Sequence, residues 1–346
     1  MNTGPARLEG LVDAAAHDCS SPPPLQGDRT ADTAPGGLRH GAAVVGSDAE
    51  MLAVALPFLD AGLRAGDLVA LTCAPETASV IREALGDRSR AVESEPGISL
   101  LGARAPDALG LSRRYLERAK GAGSGRLRVL SGIDFGPSAA DWREGQRFEA
   151  VTNRLLAGEP VEVLCMYDRR RLPQQVVASA AVTHPRLVHG SDWSASPRFQ
   201  DPDSYVPRLP LPREPVEDGE PVLVIDDAPA LAGLRHQIGA VIAAWVPDPE
   251  QREDLHLGAS EIAANAFRHG VRPVSARVWV DGAHLVCVIA DRGTSYADPF
   301  SGFAPAHGPD LSRGGMGLWL ARKLYDHVDL LPGPDGLTVR LSARLR

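Results

Sequence analysis

The chain has 346 residues, 44% of them hydrophobic, and a formal net charge of −8. This length is enough for about two domains with separate cores, and the negative balance argues against direct nucleic-acid binding, which needs clustered cations. No apolar run reaches the roughly 18 residues of a membrane span, the N-terminus lacks signal-peptide features, and the four cysteines show no metal-ligand spacing. We therefore expect a cytoplasmic protein with reduced thiols and no membrane association.

The first segment, residues 1–37, is rich in proline, glycine and serine, as in SSPPPLQGD and TADTAPGG. So few large apolar residues cannot offset the entropy that is lost on ordering. We predict a disordered tail.

In residues 38–190, short apolar runs alternate with helical patterns. AAVVG is followed by DAEMLAVALPFLDAGL, LVALTC by PETASVIREAL, and VEVLCMY by PQQVVASAAV. This alternation predicts a parallel sheet covered by helices. The only lysines of the chain, Lys120 and Lys323, do not follow a G-x-x-x-x-G run, so a nucleotide-hydrolase fold here would lack its phosphate-binding loop.

Residues 191–220 hold six prolines and are predicted to form an extended, semi-rigid linker. In residues 221–346, VLVID reads as a strand, LAGLRHQIGAVIAAW as a helix, and SARVWV and HLVCVIAD as strands. A loop from Arg292 to Arg313, a helix from about Gly314 to Asp326 and a last pair of strands follow. The grouping of helices and strands predicts an α/β sandwich.

The first of three motifs in this domain lies on the helix that ends in SEIAANAFRHG. Glu261 and Asn265 are four residues apart and share one helix face, followed by His269 and Gly270. An amide oxygen suits Mg²⁺, and a carboxylate one turn earlier can orient or deprotonate the group that attacks a γ-phosphate. By itself, this pair is more often a solvated helix face.

The second motif, Asp291-Arg292-Gly293, ends a strand. Its carboxylate can accept a hydrogen bond from an exocyclic amine such as that of adenine, and its glycine allows close approach. The third motif opens a helix with backbone N–H groups suited to phosphate and consists of Gly314, Gly315, Met316, Gly317 and Leu318. Each motif alone is weak, but the three in this order around a long loop predict a nucleotide site under a lid.

With these motifs, residues 221–346 resemble the Bergerat-fold (GHKL, HATPase) superfamily of histidine kinases, type II topoisomerases and anti-sigma-factor kinases. SEIAANAFRHG, DRGTSYADP and GGMGLWLARKL are most similar to the anti-sigma-factor serine/threonine kinases. The resemblance implies that Asn265 binds Mg²⁺, Glu261 is the catalytic carboxylate and Asp291 binds adenine. The residues implied to frame the ATP are His269, Gly270, Gly293, Gly314, Gly315, Gly317 and Leu318. The run from Asp291 to Ser295 lacks the second glycine that is often found there in the family.

The first domain is similar to the MEDS sensory domain in LRHG at 38–41, PFLDAGLRAGD at 57–67 and VEVLCMYDRRRLPQQVVASAAVTHP at 161–185. This resemblance implies a RecA-like fold without a working phosphate loop. Candidates for a sensory pocket are His40, Cys165, Tyr167 and His184. A single histidine or cysteine in an apolar context is, however, more often a core residue.

Both domains together are similar to actinobacterial anti-sigma regulatory proteins. This implies an ATP- and Mg²⁺-dependent serine/threonine kinase that binds a sigma factor and phosphorylates a STAS-type anti-anti-sigma factor under sensory control, with a homodimer as one option for its assembly. An unorthodox sensor histidine kinase and a non-catalytic ATP-gated binding module stay open as alternatives. The proline-rich linker cannot form the hairpin that carries a phosphoacceptor histidine. His236 is the only nearby candidate for one, and it lies inside the expected ATPase domain.

Overall fold

The computed structural model describes residues 36–121, 123–293, 298–305 and 316–346, which belong to one compact unit. Nearly all of the predicted tail and much of the predicted lid lie outside these residues. None of the described helices has the length and apolar character needed to cross a membrane.

The first sheet is mainly parallel and has helices on both faces. Its strands are β1 (Arg39–Val45), β2 (Leu68–Thr72), β3 (Val92–Ser94), β4 (Leu127–Gly132), β5 (Val161–Asp168), β6 (Arg186–His189) and β7 (Asp192–Ala195). They lie in the order β3-β2-β4-β5-β1-β6-β7, and only β6 and β7 are antiparallel. The helices are α1 (Asp48–Ala65), α2 (Pro75–Leu85), α3 (Ala105–Lys120), α4 (Ala139–Leu155) and α5 (Gln174–Thr183). The predicted α/β class with a parallel sheet is confirmed.

The central strands β2, β4 and β5 are buried along most of their length because helices cover both faces of the sheet there. In β2, Val69 and Leu71 pack in a cluster with residues of α1 and α2. Ala70, which lies between them, packs in a different cluster with residues of α3. Alternate side chains therefore reach the two helix layers on opposite faces of the sheet.

The connection from β1 to α1 has no room for a phosphate loop. It consists of Gly46 and Ser47 only, and the Gly46 N–H donates to the Glu50 carboxylate at 2.7 Å. A Cβ atom on Gly46 would lie 2.1 Å from the side chain of Arg169. An acidic side chain thus takes the backbone N–H that a phosphate-binding loop would offer to its ligand.

The segment from 191 to 220, predicted to be an extended linker, contains regular structure. It holds β7, the short helix α6 (Pro202–Tyr205), and 3₁₀ turns at Val206–Arg208 and Pro215–Asp218. Three of its prolines lie in the first turn of these helices, where a missing N–H costs no hydrogen bond. The prolines therefore start helices here, and Val206 and Leu209 are buried.

The second sheet is antiparallel and has helices on one face. Its strands are β8 (Leu223–Ile225), β9 (Ser275–Val280), β10 (His284–Asp291), β11 (His327–Gly333) and β12 (Gly336–Arg344), in the order β11-β12-β10-β9-β8. The helices are α7 (Leu231–Trp245), α8 (Pro249–His269) and α9 (Gly317–Leu324). One apolar cluster fills the space between them and the sheet. The predicted α/β sandwich is confirmed, with its last helix beginning at Gly317 among the described residues.

The two domains share a buried carboxylate, Asp329 on β11. Its oxygens accept hydrogen bonds from Arg143 at 3.1 Å and Arg147 at 2.8 Å, both on α4, and from Arg340 on β12 at 2.8 Å. Each arginine has a second acidic partner; these are Glu214, Glu144 and Glu217. Burial alone would raise the pKa of Asp329, but the charges of Arg147 and Arg143 and the hydrogen bonds hold it well below its usual range.

Two further contacts extend this interface. Asp141 closes a capping box with Ser138 at the start of α4 and also accepts from His327 at 3.0 Å and from Arg344. Phe300 and Phe303, in the described part of the predicted lid, pack in one cluster with residues of α3 and α4. Both polar and apolar contacts therefore fix α4 against the second domain.

We predict that Asp329→Asn lowers the free energy of unfolding at pH 7 by about 3–5 kcal/mol, because it leaves buried arginines without their shared countercharge. The low folded-state pKa adds stability that is present above the unfolded pKa of about 3.9 and is lost as the pH falls below it. The difference between wild type and variant should therefore shrink in acid. Urea denaturation at several pH values measures it.

The matched control is Asp87→Asn, because Asp87 pairs with Arg90 where both side chains are more than four-fifths exposed. Such a pair contributes little, so the urea midpoint of this variant should equal that of wild type. Equal midpoints for Asp329→Asn and Asp87→Asn would show that the shared carboxylate does not hold the domains together.

Candidate functional site

A cavity of about 700 Å³ opens in the second domain between α8, the end of β10 and the segment 298–305. Apolar side chains contribute to its lining, among them Ile262, Ile289, Leu330 and Val339. Polar side chains also contribute, among them Asn265, His269 and Asp291. A cavity of this size and mixed lining suits a small molecule with a flat apolar part and a charged part.

The helix α8 carries two stripes with different surroundings. Leu255, Ala259, Ile262 and Ala266 are buried in the core, whereas Glu261 and Asn265 are half-buried. A Cβ atom on Gly317, the first residue of α9, would lie 3.0 Å from Glu261 Oε2 and 3.1 Å from Asn265 Nδ2. The first and third sequence motifs therefore meet at the start of α9, where a Cβ atom would be in tight contact with both side chains.

Asp291, in the second motif, is held by backbone N–H groups. Its Oδ1 accepts from Val271 at 3.2 Å and from Gly293 at 2.6 Å. A Cβ atom on Gly270 would lie 2.3 Å from Asp291 Cγ, and one on Gly293 would lie 2.7 Å from Oδ1. Both hydrogen bonds use the same oxygen, so within the described chain Oδ2 is left to accept from a molecule in the cavity.

The other predicted site residues divide into two groups. His269, Gly270, Gly293 and Leu318 line the cavity together with Asn265 and Asp291. Gly314 and Gly315 lie outside the described residues. The roles assigned to all these residues stay predictions.

Two residues of the first domain also line this cavity, and the sequence motifs did not point to them. They are Arg154 and Leu155, at the C-terminal end of α4. The guanidinium carbon of Arg154 lies 5.9 Å from the ring centre of Phe300. No spacing rule relates a residue at 154 to motifs beyond 260, so only the fold reveals that the sensory-type domain contributes to the wall of the cavity.

A second candidate site lies in the core of the first domain. His40, Cys165, Tyr167 and His184 are brought together, all of them buried, with the ring centres of His40 and His184 4.2 Å apart. They surround Glu149 of α4, whose Oε2 lies 3.3 Å from Nε2 of both histidines. Glu149 was not predicted as part of this site, because a glutamate in a helix with many charged residues normally faces solvent.

Burial shifts the pKa values of several side chains in this cluster. Burial and the nearby His40 lower the pKa of His184, which favours neutral imidazole. Burial likewise raises the pKa of Cys165 and of Tyr167 well above their usual ranges.

Residues 39–185 match the family model of MEDS, the MEthanogen/methylotroph, DcmR Sensory domain, and residues 225–343 match that of the histidine kinase-like ATPase domain. Both domain resemblances inferred from the motifs are thus confirmed. No curated protein matches the chain. Among solved structures, the chain is similar to the RsbU and RsbW domains of Rv1364c from Mycobacterium tuberculosis, with 20% identity, coverage of 37% of this chain and 33% of that chain, and a TM-score of 0.26.

We predict that Arg154→Ala weakens ATP binding roughly tenfold, because it removes a positive charge from the cavity wall and a charged hydrogen bond contributes about 1.5–3 kcal/mol. Titration calorimetry of the full chain measures the change. Arg113→Ala, on the exposed side of α3, removes the same charge away from the cavity and should bind ATP as wild type does. Equal affinities in both variants would remove Arg154 from the site.

Proposed function

We propose that this chain, which joins a MEDS domain to a histidine kinase-like ATPase domain, is an ATP-dependent protein kinase of the anti-sigma-factor type. In this proposal it binds a sigma factor and transfers the γ-phosphate of ATP to a serine or threonine of a STAS-type anti-anti-sigma factor. The observation that carries the proposal is the close approach of Glu261 and Asn265 to Gly317. Glu261 Oε2 and Asn265 Nδ2 lie 3.0 and 3.1 Å from the position that a Cβ atom on Gly317 would take, beside a cavity of nucleotide size.

The residues at this point suit ATP bound with Mg²⁺. Asn265 presents Nδ2 toward Gly317, which leaves its amide oxygen as a hard ligand for the cation. The first backbone N–H groups of α9 have no partner within the helix and therefore suit phosphate oxygens. The cation, when bound, would neutralise charge on the phosphates. Glu261, one turn before Asn265, would accept the proton of the attacking hydroxyl.

Asp291, which also lines the cavity, is suited to adenine. Its Oδ1 is saturated by two backbone N–H groups, so Oδ2 would accept from the exocyclic amine. The apolar side chains of Ile289 and Leu330 line the same cavity and would pack against the base. Gly270 and Gly293 allow Asp291 to come this close, because any larger residue would meet its carboxylate.

The phosphoacceptor is proposed to be a separate protein. His236 is exposed on α7, and no residue of α7 is among the described residues that line the cavity. A hydroxyl presented by a separate protein would not require any residue of α7 to move toward the cavity. The histidine-kinase alternative would require His236 to reach the nucleotide.

The sensory domain is proposed to act through α4. This helix carries Glu149 in the buried cluster, Arg147 on the shared carboxylate and Arg154 at the cavity. A shift of α4 would therefore change the wall of the nucleotide cavity. The rigid packing of a folded core transmits such a displacement and does not absorb it.

Asn265→Ala and Glu261→Gln should impair different steps, the first the binding of Mg-ATP and the second the transfer of phosphate. The first removes the proposed metal ligand and should weaken binding of Mg-ATP at least tenfold. The second keeps size and polarity but removes basicity, so it should bind Mg-ATP normally and slow phosphotransfer by about 10²–10⁴. Calorimetry and single-turnover transfer to candidate antagonists measure the two effects. A Glu261→Gln variant that transfers phosphate as fast as wild type would assign Glu261 a structural role.

The acid stability of the product identifies the acceptor. A phosphoester on serine or threonine survives acid, whereas a phosphoramidate on histidine hydrolyses. Incubation with labelled ATP and candidate antagonists is expected to give acid-stable label on the antagonist, and His236→Ala should not change it. Acid-labile label on this chain that disappears in His236→Ala would replace the proposal by the histidine-kinase alternative. ATP binding without transfer to any protein would favour the binding module.

A further inference from the structure

In the buried cluster of the first domain, the Nε2 atoms of both histidines face the carboxylate of Glu149. Nδ1 of His184 lies 3.0 Å from the carbonyl oxygen of Ala180, an atom that can only accept, so Nδ1 carries the hydrogen. In the neutral ring, Nε2 then carries no hydrogen and has a free lone pair. Among the described residues it has no hydrogen-bond partner although it is buried, and it lies 3.3 Å from Glu149 Oε2.

His40 is fixed in the same way by Asn153. Nδ2 of Asn153 donates to the carbonyl oxygens of Glu149 at 3.1 Å and Thr183 at 2.7 Å, so Oδ1 faces His40 Nδ1 at 2.9 Å. Nδ1 of His40 therefore donates, and its Nε2 presents a second lone pair to Glu149. Outer hydrogen bonds that fix the tautomer in this way are typical of histidines that bind metals.

The inner atoms are spaced as the ligands of one small cation. A tetrahedral zinc ion has bonds of about 2.0–2.1 Å to nitrogen and oxygen and about 2.3 Å to sulfur. Two ligand atoms of such an ion are therefore roughly 3.3–3.6 Å apart. In the cluster, both histidine Nε2 atoms lie 3.3 Å from Glu149 Oε2. Sγ of Cys165 lies 3.5 Å from His40 Nε2 and 3.6 Å from Glu149 Oε2, and all four ligand atoms lie within 4.8 Å of one another.

We infer that His40, Glu149, Cys165 and His184 form a binding site for one divalent transition-metal ion, with Zn²⁺ as the preferred occupant. Two imidazoles, a thiolate and a carboxylate are a ligand set of intermediate softness, which suits zinc better than calcium or magnesium. The assignment is independent of the proposed kinase activity.

The charges also balance. The ion brings two positive charges, Glu149 is a carboxylate, and Cys165 releases its Sγ proton to solvent when the ion binds, so the occupied site is neutral. A neutral site is needed because all four side chains are buried. Without the ion, the lone pairs of His184 Nε2 and Glu149 Oε2 face each other in a region that solvent does not reach.

The site would hold α4 to the first sheet. His40 and Cys165 lie on the neighbouring strands β1 and β5, His184 follows α5, and Glu149 comes from α4. An ion at this point therefore fixes the position of the helix whose last turn reaches the cavity of the second domain.

The test uses the full chain, expressed with Zn²⁺ and dialysed against metal-free buffer, followed by elemental analysis and exchange into Co²⁺. We expect about one equivalent of metal per chain and a cobalt form with tetrahedral visible bands and a thiolate charge-transfer band. Cys165→Ser should lose the charge-transfer band and most of the metal. Cys73→Ser removes another buried thiol of the same domain and should keep both.

A single-thiol variant makes the test independent of whether Cys165→Ser folds. In it, Cys19, Cys73 and Cys287 are replaced by serine, so that Cys165 is the only sulfur ligand available for the charge-transfer band. Retention of that band supports the site. Its absence, a wild-type chain that neither retains Zn²⁺ nor takes up Co²⁺, or a folded Cys165→Ser variant with unchanged metal content and spectrum would overturn the inference.

Discussion

The buried pairing of Asp329 with three arginines is the constraint on which the arrangement of the two domains depends. Two of the arginines, Arg143 and Arg147, come from α4, and the third, Arg340, comes from the neighbouring strand of the second sheet. Separating the domains would leave charges that are buried in the folded chain without their partners, which is costly unless every one of them is solvated again. The cavity of the second domain can therefore have walls from both domains, since the contact that unites them is specific in geometry and charge.

The helix α4 shows how a single element can serve several sites. Its faces meet four different environments: the shared carboxylate, the aromatic residues Phe300 and Phe303, the buried cluster at Glu149 and the cavity at Arg154. Charged side chains are tolerated on so much of its surface because the buried charges of Asp141, Arg143 and Arg147 have defined partners. Polar pairing of this kind leaves little freedom in the rotation and register of the helix, whereas an all-apolar helix could slide between alternative packings.

Local patterns predicted much of this fold, and long-range contacts were missed. The runs SARVWV, HLVCVIAD and LAGLRHQIGAVIAAW coincide with β9, β10 and α7, because alternation and helical periodicity depend only on neighbouring residues. The motif residues Glu261, Asn265 and Gly317 were selected on chemical grounds and do lie together. Arg154 and Glu149 were not selected, because the sequence of a charged helix does not tell which charges are buried. The prolines of the segment 191–220 led to the prediction of an extended linker. Proline breaks a helix in its interior but is favoured in the first turn, and local sequence alone did not show which position these prolines take.

The shared carboxylate has a consequence for how such a protein can change its input. Recombination within the segment 191–220 would exchange the sensory domain while leaving β11 and β12 in place, and Asp329 would then meet whatever residues the new domain offers at the positions of Arg143 and Arg147. A domain without cations there would leave the carboxylate paired only with Arg340. New input domains are therefore expected to be acquired by divergence of the existing one, and the two halves of the chain to be inherited as a single unit.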